Sequence, residues 1–282
     1  MKLNLEIYYI LHFNLGGKLV MKVSIAQMDM KFADPEFNFK HAEELIRKAA
    51  LEKPDVIVLP ETWNTGFFPD KNLASLSDQN GEKTKELCGG LAKELNVNIV
   101  AGSVSNVKNG KVYNTAFIFN RSGNCIAEYD KIHAFTPMKE DVAYQKGDHL
   151  ALFELDGHRC GMIICYDIRF PELTRALAVK GIDILFISAQ WPAVRRTHWQ
   201  ILTKARAIEN QVFLAACNSC GKAGETVYGG TSCLLNPWGE VIQEAGPSEE
   251  IISGDFDFEI LKGIRSSINV YVDRRPDLYA KF

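Results

Sequence analysis

The sequence predicts a single α/β domain in which two β-sheets pack face to face and helices cover their outer sides. Patterns typical of strands and of helices alternate along the whole chain. The chain has 282 residues, 46% of them apolar, which is enough to bury a large core. Because no Ser/Gly/Pro-rich linker and no run of like charges interrupts the alternation, one domain is favoured over two.

The first twenty residues are predicted to be an extension (residues 1–20) that precedes the domain (residues 21–282). Glu6, His12 and Asn14 interrupt the apolar residues of this segment, and no small-residue cleavage site follows them. The segment therefore fits neither a signal peptide nor a membrane span. The first predicted strand opens at Met21, and we expect Met21 to be the native start.

Short apolar runs predict strands in the first half of the domain, and apolar residues three and four apart predict a helix between the first two strands. The inner side of that helix is expected to carry Phe37, Ala42, Leu45, Ile46 and Ala49. In chain order the predicted elements are strand Val23–Gln27, helix Pro35–Glu52, strand Asp55–Leu59, helix Glu82–Leu95, and strands Asn98–Gly102, Val112–Phe119 and Cys125–Tyr129.

The second half of the domain follows a long loop, Lys131–Asp148, of a length that is usually functional in compact domains. Two or three strands are expected between Thr231 and Phe256, before a short helix and an extended tail. The elements predicted before them are strands Ala151–Leu155 and Arg159–Ile164, helix Pro171–Lys180, strand Asp183–Ser188, helix Arg195–Asn210 and strand Val212–Cys217.

Cys165 lies at a predicted junction between a strand and a helix. It follows the apolar run Cys160–Ile164, and Phe170-Pro171-Glu172 has the proline and the acid typical of a first helical turn. Such a junction presents a side chain above the sheet, with backbone N–H groups beside it. The alternative is that Cys165 is a small buried apolar residue, as most free cysteines are.

Glu61 and Lys131 also follow predicted strands. Glu61 comes after Asp55–Leu59 and Pro60, which cannot donate to a sheet, and Lys131 follows the second strand of a hairpin. A carboxylate can take a thiol proton and return it to a leaving amine, and an ammonium can stabilise an oxyanion. Glu61 and Lys131 each also fit a solvated surface charge when taken alone. Together with Cys165, however, they predict a catalytic set.

The chain resembles the nitrilase, or carbon–nitrogen hydrolase, superfamily, whose Glu-Lys-Cys triad matches Glu61, Lys131 and Cys165 in order and context. The likeness runs from Lys22 to the C-terminus, and a second family glutamate falls on Glu140. It implies a four-layer α-β-β-α sandwich and a homodimer or a larger homo-oligomer, paired through the helix after Cys165 and the C-terminal tail. Other matching blocks are Trp191-Pro192, His198-Trp199, Ala205–Gln211, Gly229–Ser232 and Asn236–Gly239.

Within this superfamily the chain is most similar to bacterial ω-amidases, including the branch associated with methionine salvage. The residues that carry this likeness are Cys165–Pro171, Trp191-Pro192, Arg195, His198-Trp199 and Asp273–Tyr279. The likeness implies a small-molecule amide substrate, an ω-amido 2-oxo acid of the 2-oxoglutaramate or 2-oxo-4-methylthiobutyramate type. It implies that this amide is hydrolysed to carboxylate and ammonia through a thioester. An N-carbamoyl compound, another small amide or a nitrile remains an alternative substrate, and a non-catalytic binding scaffold a more distant one.

Four residues are candidates for the substrate pocket. Phe67, Tyr166 and Trp191 adjoin the triad segments and are expected to form walls, although aromatic side chains at strand ends also occur in cores. Arg195 is a candidate for a substrate carboxylate, since guanidinium groups bind carboxylates in pairs of hydrogen bonds, but it also fits a solvated charge. The backbone N–H of Tyr166 is expected to join Lys131 in the oxyanion hole.

Five other charged or titratable residues near these segments are expected to have structural roles. Arg169, Arg206 and Glu209 are predicted to form ion pairs, and His133 and His198 to be hydrogen-bonded structural histidines.

Composition narrows the possible partners and compartment. A net charge of −3 gives no general attraction to nucleic acid or to an anionic membrane. Seven scattered cysteines fit a reducing cytoplasm. Cys217 and Cys220 form a CxxC pair without a second pair of metal ligands, so neither a metal nor a cofactor is expected, and a redox pair remains an unsupported alternative.

Overall fold

The computed structural model of the chain describes residues 17–67, 69, 71–279 and 281. Its strands are β1 (Val20–Gln27), β2 (Val56–Val58), β3 (Asp78–Gln79), β4 (Asn98–Lys108), β5 (Lys111–Phe119), β6 (Cys125–Asp130), β7 (Ala151–Leu155), β8 (His158–Ile164), β9 (Ile184–Ala189), β10 (Phe213–Asn218), β11 (Lys222–Ala223), β12 (Thr226–Val227), β13 (Cys233–Leu235), β14 (Val241–Glu244) and β15 (Glu250–Asp257). Its helices are α1 (Pro35–Ala50), α2 (Leu73–Leu76), α3 (Glu82–Leu95), α4 (Glu140–Ala143), α5 (Pro171–Ala178), α6 (Arg196–Asn210), α7 (Glu259–Ser267) and α8 (Pro276–Tyr279).

Two mixed sheets form the centre of the described residues. The first has seven strands in the order β15-β1-β2-β4-β5-β6, with β3 beside β4, and the second has six in the order β14-β13-β10-β9-β8-β7. β1, β2 and β4 run parallel in the first sheet, as do β8, β9 and β10 in the second. Helices α1 and α3 cover the first sheet and α5 and α6 the second, which confirms the predicted α-β-β-α sandwich.

Successive side chains along a strand point to opposite faces of the sheet, and this produces two apolar layers. In β2, Val56 and Val58 point between the sheets, whereas Ile57 and the following Leu59 face α1 and α3. The two sheets are also joined by a polar contact at one end, where Ser188 Oγ donates to the carbonyl oxygen of Leu59 at 2.7 Å. Because Ser188 in β9 pairs with Ile164, the last residue of β8, the carboxyl ends of β2, β8 and β9 meet at the same edge of the sandwich.

Several predicted boundaries differ from those in the structure. β4 continues to Lys108, well past the predicted end at Gly102, because it pairs with β5 along almost its whole length. The helix that begins at Pro171 ends at Ala178, before the predicted Lys180, and a 3₁₀ turn, Cys165–Arg169, precedes it.

The inner side of α1 differs from the prediction at one position. Ala42, Leu45, Ile46 and Ala49 are buried as expected, but Phe37 is 44% exposed, so its predicted place was wrong. Asn38 occupies that place because it lies one turn before Ala42. Its side chain donates to the carbonyl oxygens of Lys31 and Asn64 at 2.7 and 3.0 Å, and accepts from the N–H of Lys31 at 2.8 Å.

Asn38→Ala should destabilise the protein by about 2 kcal/mol, since it removes a buried side chain that holds the backbone groups of Lys31 and Asn64. Urea denaturation would measure the change in the free energy of unfolding. Lys40→Ala, at an exposed position of the same helix, is the matched control and should change it by less than about 0.5 kcal/mol. Equal stability of the two variants would contradict the buried role of Asn38.

Residues 1–16 of the predicted N-terminal extension lie outside the described residues, whereas its last four residues contact the domain. Lys18 Nζ forms an ion pair with Asp55 at 2.7 Å, and the N–H of Phe258 donates to the carbonyl oxygen of Leu19 at 3.0 Å. β1 begins at Val20, which pairs with Asp257. No helix in the described part of the chain combines the length and the apolar character needed to cross a membrane.

Candidate active site

The structure brings Glu61, Lys131 and Cys165 together at the edge where β2, β6 and β8 end. Lys131 Nζ lies 2.7 Å from Glu61 Oε1, and the Cys165 thiol is close enough to Glu61 for the carboxylate to raise the pKa of the thiol. The three residues are 0%, 4% and 8% exposed, respectively, so the cluster is held away from bulk water. Side chains from both sheets therefore converge on one cavity.

Glu140 completes this cluster from the long loop. It is the first residue of α4, and its two carboxylate oxygens lie 2.8 and 2.9 Å from Lys131 Nζ. The N–H of Phe135 also donates to it, at 2.5 Å. The loop returns to Lys131 at Gly147, where a side chain would not fit, because a Cβ atom would lie 2.0 Å from the carbonyl oxygen of Asp130.

Two carboxylates determine the charge of Lys131. Burial alone would lower the pKa of this lysine, but the negative charges of Glu140 and Glu61 outweigh it and hold the pKa well above its ordinary value. Lys131 is therefore an ammonium across the physiological pH range, with its N–H bonds directed at both carboxylates. A fixed cation at this place can stabilise a developing negative charge.

The sharp turn at Cys165, between β8 and the 3₁₀ turn, has the form of a nucleophile elbow. Cys165 has φ +46°, in the left-handed region that is costly for a residue with a side chain. Burial raises the pKa of its thiol well above the usual range, and the Glu61 carboxylate raises it further. The thiol therefore keeps its proton until a base removes it, and the Glu61 carboxylate is a candidate for that base.

Two residues that the sequence did not single out, Asn114 and Gln190, hold the Glu61 carboxylate in place. Asn114 Nδ2 donates to Glu61 Oε1 at 2.9 Å and to Glu140 Oε1 at 3.3 Å, and so bridges the two carboxylates. The N–H of Gln190 donates to Glu61 Oε2 at 2.8 Å. Asn114 is inside β5 and Gln190 just after β9, and the sequence marks neither position, because an amide in a strand pattern is usually a surface residue.

Asp167 ties the nucleophile elbow to the lysine segment. Its carboxylate is fully buried and accepts from the Tyr129 hydroxyl at 2.7 Å and from the N–H of Ile164 at 3.0 Å. It also accepts from the N–H of His133 at 3.0 Å and lies 2.8 Å from His133 Nδ1. His133 thus has the hydrogen-bonded position expected of it, and one carboxylate fixes the spacing between the strand ends after β6 and β8.

A partly enclosed cavity leads to Cys165. Its empty volume is about 390 Å³, including the part open to solvent. All four predicted pocket residues, Phe67, Tyr166, Trp191 and Arg195, line it. Phe135 and Tyr228 add two aromatic walls from loops that sequence patterns could not connect with the site.

Two guanidinium groups face the same cavity. Arg195 lies over the ring of Phe135 at 5.2 Å, and Arg169 over Trp191 at 4.7 Å. The prediction that Arg169 forms a structural ion pair was wrong, because the 3₁₀ turn directs it into the cavity, where it lies 3.1 Å from His198 Nδ1. Within the described residues, neither guanidinium is paired with a carboxylate.

The ion pair expected of Arg206 and Glu209 is present. Arg206 Nη1 lies 2.7 Å from Glu209 Oε1, and Arg206 Nε donates to the carbonyl oxygen of Ile168 at 2.8 Å. This pair therefore supports the 3₁₀ turn after Cys165 from the side of α6.

Comparison with known proteins places these features in context. A family model described as carbon–nitrogen hydrolase matches residues 22–266. The chain is 43% identical to 2-oxoglutaramate amidase of Bacillus subtilis (strain 168), over 91% of this chain and 98% of that protein. It is 33% identical to omega-amidase NIT2 of Homo sapiens, over 86% and 91% of the two chains. The crystal structure of Saccharomyces cerevisiae Nit3, a member of branch 10 of the nitrilase superfamily, matches with a TM-score of 0.85 at 28% identity, over 92% and 98% of the two chains.

Proposed function

The chain belongs to the carbon–nitrogen hydrolase family and is an enzyme of that family, and from this premise we propose that it hydrolyses the terminal amide of a small ω-amido 2-oxo acid, represented by 2-oxoglutaramate. The observation that carries this proposal is the presence in the cavity of Cys165 of two guanidinium groups, on Arg169 and Arg195, neither of which forms an ion pair with a carboxylate of the described residues. They suit a substrate that carries a carboxylate at the end opposite its amide. The names of the bacterial and vertebrate relatives support the same substrate class.

In the first step of the proposed reaction, Glu61 takes the thiol proton while the sulfur of Cys165 bonds to the amide carbon. The carbonyl oxygen becomes an oxyanion, which the Lys131 ammonium and the Tyr166 N–H stabilise. Glu61 then gives the proton to the amide nitrogen, the carbon–nitrogen bond breaks and ammonia leaves. The product of this half-reaction is a thioester on Cys165.

In the second step, water attacks the thioester carbon and Glu61 accepts a proton from it. The carbon–sulfur bond breaks, the acid is released and the thiolate recovers the proton from Glu61. Glu140 and Asn114 act as positioning residues in this scheme, because they orient Lys131 and Glu61 through the hydrogen bonds described above. The chemistry is complete without a metal or a cofactor.

A substrate panel tests the proposal. Ammonia release is measured for 2-oxoglutaramate, glutamine, an N-carbamoyl amino acid, a neutral amide and an aliphatic nitrile, and kcat/KM is compared. We expect 2-oxoglutaramate to be preferred by at least about 10²-fold, the discrimination that unmatched polar groups typically produce. A preference for the carbamoyl compound or the nitrile would indicate that the enzyme acts on one of those substrates instead. No ammonia release from any of the five compounds would support a binding scaffold.

Arg195→Ala should raise KM for 2-oxoglutaramate about ten-fold or more, since a charge-assisted hydrogen bond is lost. The kcat value should change much less, because Arg195 is proposed to contact the carboxylate of the substrate and not its amide. A neutral amide of similar length is the matched control, and its KM should stay within about two-fold. If KM rises equally for both substrates, Arg195 packs the pocket through Phe135 and does not recognise the carboxylate.

We also propose that the protein acts as a cytoplasmic homodimer or larger homo-oligomer. An exposed apolar patch on and beside α6, next to α5, supports subunit pairing on that side; it comprises Ile201, Ile208, Trp238 and Val241. The segment with Trp238 lies against α6, because a Cβ at Gly239 would approach Ile208 to 2.6 Å. The seven cysteines are all free, which suits a reducing compartment. Analytical ultracentrifugation measures the oligomer, and a sedimenting monomer would refute the pairing.

A further inference from the structure

A buried row of three hydroxyl groups links the helix of Glu140 to a wall of the cavity. The Tyr144 hydroxyl lies 2.6 Å from Ser105 Oγ, and Ser105 Oγ lies 2.7 Å from Thr65 Oγ1. Thr65 Oγ1 is 2.5 Å from the carbonyl oxygen of Phe67. All three hydroxyl residues are at most 2% exposed, and the proposed reaction uses none of them.

The direction of every hydrogen bond in this row is fixed. A carbonyl oxygen only accepts, so Thr65 must donate to Phe67, and its single hydroxyl proton is then used. Ser105 must therefore donate to Thr65, and Tyr144 must donate to Ser105. The row is thus a continuous set of donors that starts at Tyr144 and ends on the backbone of Phe67.

One end of the row is attached to α4, the helix that carries Glu140, and the other end is at the cavity wall formed by Phe67. The N–H of Tyr144 donates to the carbonyl oxygen of Glu140 at 2.8 Å, so the tyrosine is anchored to α4. Phe67 has φ +72°, a left-handed conformation that a bulky residue keeps only when its surroundings hold it there. Its side chain lines the cavity that contains Cys165.

A second contact holds the middle of the row against the same turn. Asn64 Oδ1 accepts from the N–H of Ser105 at 2.8 Å, and Asn64 Nδ2 donates to the carbonyl oxygen of Ser105 at 3.0 Å. Ser105 is therefore fixed relative to residues 61–67 by its backbone as well as by its hydroxyl. Every hydroxyl group between Tyr144 and Phe67 is buried, so water does not compete for these hydrogen bonds.

We propose that Tyr144 is a positioning residue which, through Ser105 and Thr65, holds Phe67 as a wall of the cavity and so sets the length of the amide substrate. This inference rests on the proposed amidase function. With the row intact, Phe67 fits one chain length closely. Without the Tyr144 hydroxyl, the left-handed backbone at Phe67 relaxes, contacts with the preferred substrate are lost and a longer substrate is accommodated.

The test compares three ω-amido 2-oxo acids that differ by one methylene, with kcat and KM measured for each. In Tyr144→Phe, the ratio of kcat/KM for the preferred acid to that for the next longer one should fall about three- to ten-fold, the usual value of one hydrogen bond. The change should come mainly from KM. Thr65→Val should give the same pattern, and Thr65→Ser, which keeps the hydroxyl, should retain the wild-type ratio.

The combined variant Tyr144→Phe/Thr65→Val provides a stricter test. Each single substitution already interrupts the row of hydrogen bonds, so the second substitution should have no further effect. The ratio of kcat/KM values in the combined variant should therefore equal that of the more severe single variant. Additive effects of the two substitutions on this ratio would overturn the proposal. An equal loss of kcat on all three substrates would also overturn it, because Tyr144 would then act by positioning Glu140 and not Phe67. Tyr113→Phe, a partly buried tyrosine beside Lys108, is the matched control and should keep the wild-type ratio.

These results separate the two proposals. A wild-type protein that hydrolyses none of the three acids refutes the proposed function, and the inference with it. A wild-type protein that hydrolyses them, together with a Tyr144→Phe variant of unchanged ratio, refutes the positioning role alone.

Discussion

Cys165→Ala should abolish ammonia release from 2-oxoglutaramate, with a fall in kcat of about 10⁴-fold or more, as expected when a covalent nucleophile is removed. The fold should survive, because the substitution takes away one sulfur atom at the cavity surface and leaves the contacts of Lys131 with Glu61 and Glu140 intact. Thermal unfolding and ammonia assays on the same preparation check both statements.

The matched control for this variant is Cys125→Ala, which removes an exposed thiol far from the cavity. Its turnover should equal that of the wild type. Mass spectrometry of an acid-quenched reaction should find the acyl group on Cys165 in the wild type and in the control. Turnover that persists in Cys165→Ala, or an acyl group on another residue, would contradict the thioester mechanism.

Lys131→Met should damage both activity and stability. The oxyanion loses its charged donor, so kcat should fall by about 10³-fold. The carboxylates of Glu61 and Glu140 are left facing each other in a buried site, which should cost about 3–5 kcal/mol in the free energy of unfolding. Urea denaturation at pH 7 measures this cost, and the deficit should narrow as the pH falls, because one of the two carboxyl groups then takes up a proton.

A second substitution separates the two effects of Lys131→Met. Lys131→Met/Glu140→Gln removes one of the opposed charges, so much of the lost stability should return while activity stays low. Lys40→Met, at an exposed position, is the control for the side-chain change itself and should leave both quantities nearly unchanged. A double variant as unstable as the single one would show that repulsion between the carboxylates is not the cause.

The sequence predicts the order of the layers and the meeting of three reactive side chains for a simple reason. Glu61, Lys131 and Cys165 each follow an apolar strand, and strand ends of an α/β sandwich gather at shared edges. Local patterns carry this information, because each strand has its own apolar run and its own terminating residue.

The supporting residues could not be predicted in the same way. Asn114 bridges two glutamates that are distant in the chain, and Asp167 gathers donors from two separate strands. Their roles arise only when these segments come together in the folded protein. The predictions for Phe37 and Arg169 were wrong for related reasons. The side-chain amide of Asn38 occupies the buried position expected for Phe37, and the 3₁₀ turn directs Arg169 into the cavity.

The charge balance around Lys131 has a consequence for turnover. Two carboxyl groups lie beside one ammonium there, at the place where the proposed reaction would receive the uncharged amide end of the substrate. Hydrolysis converts that end into an anion within the same confined space. In the proposed reaction, we expect Coulombic repulsion between the carboxylates of the site and the new anion to favour release of the acid.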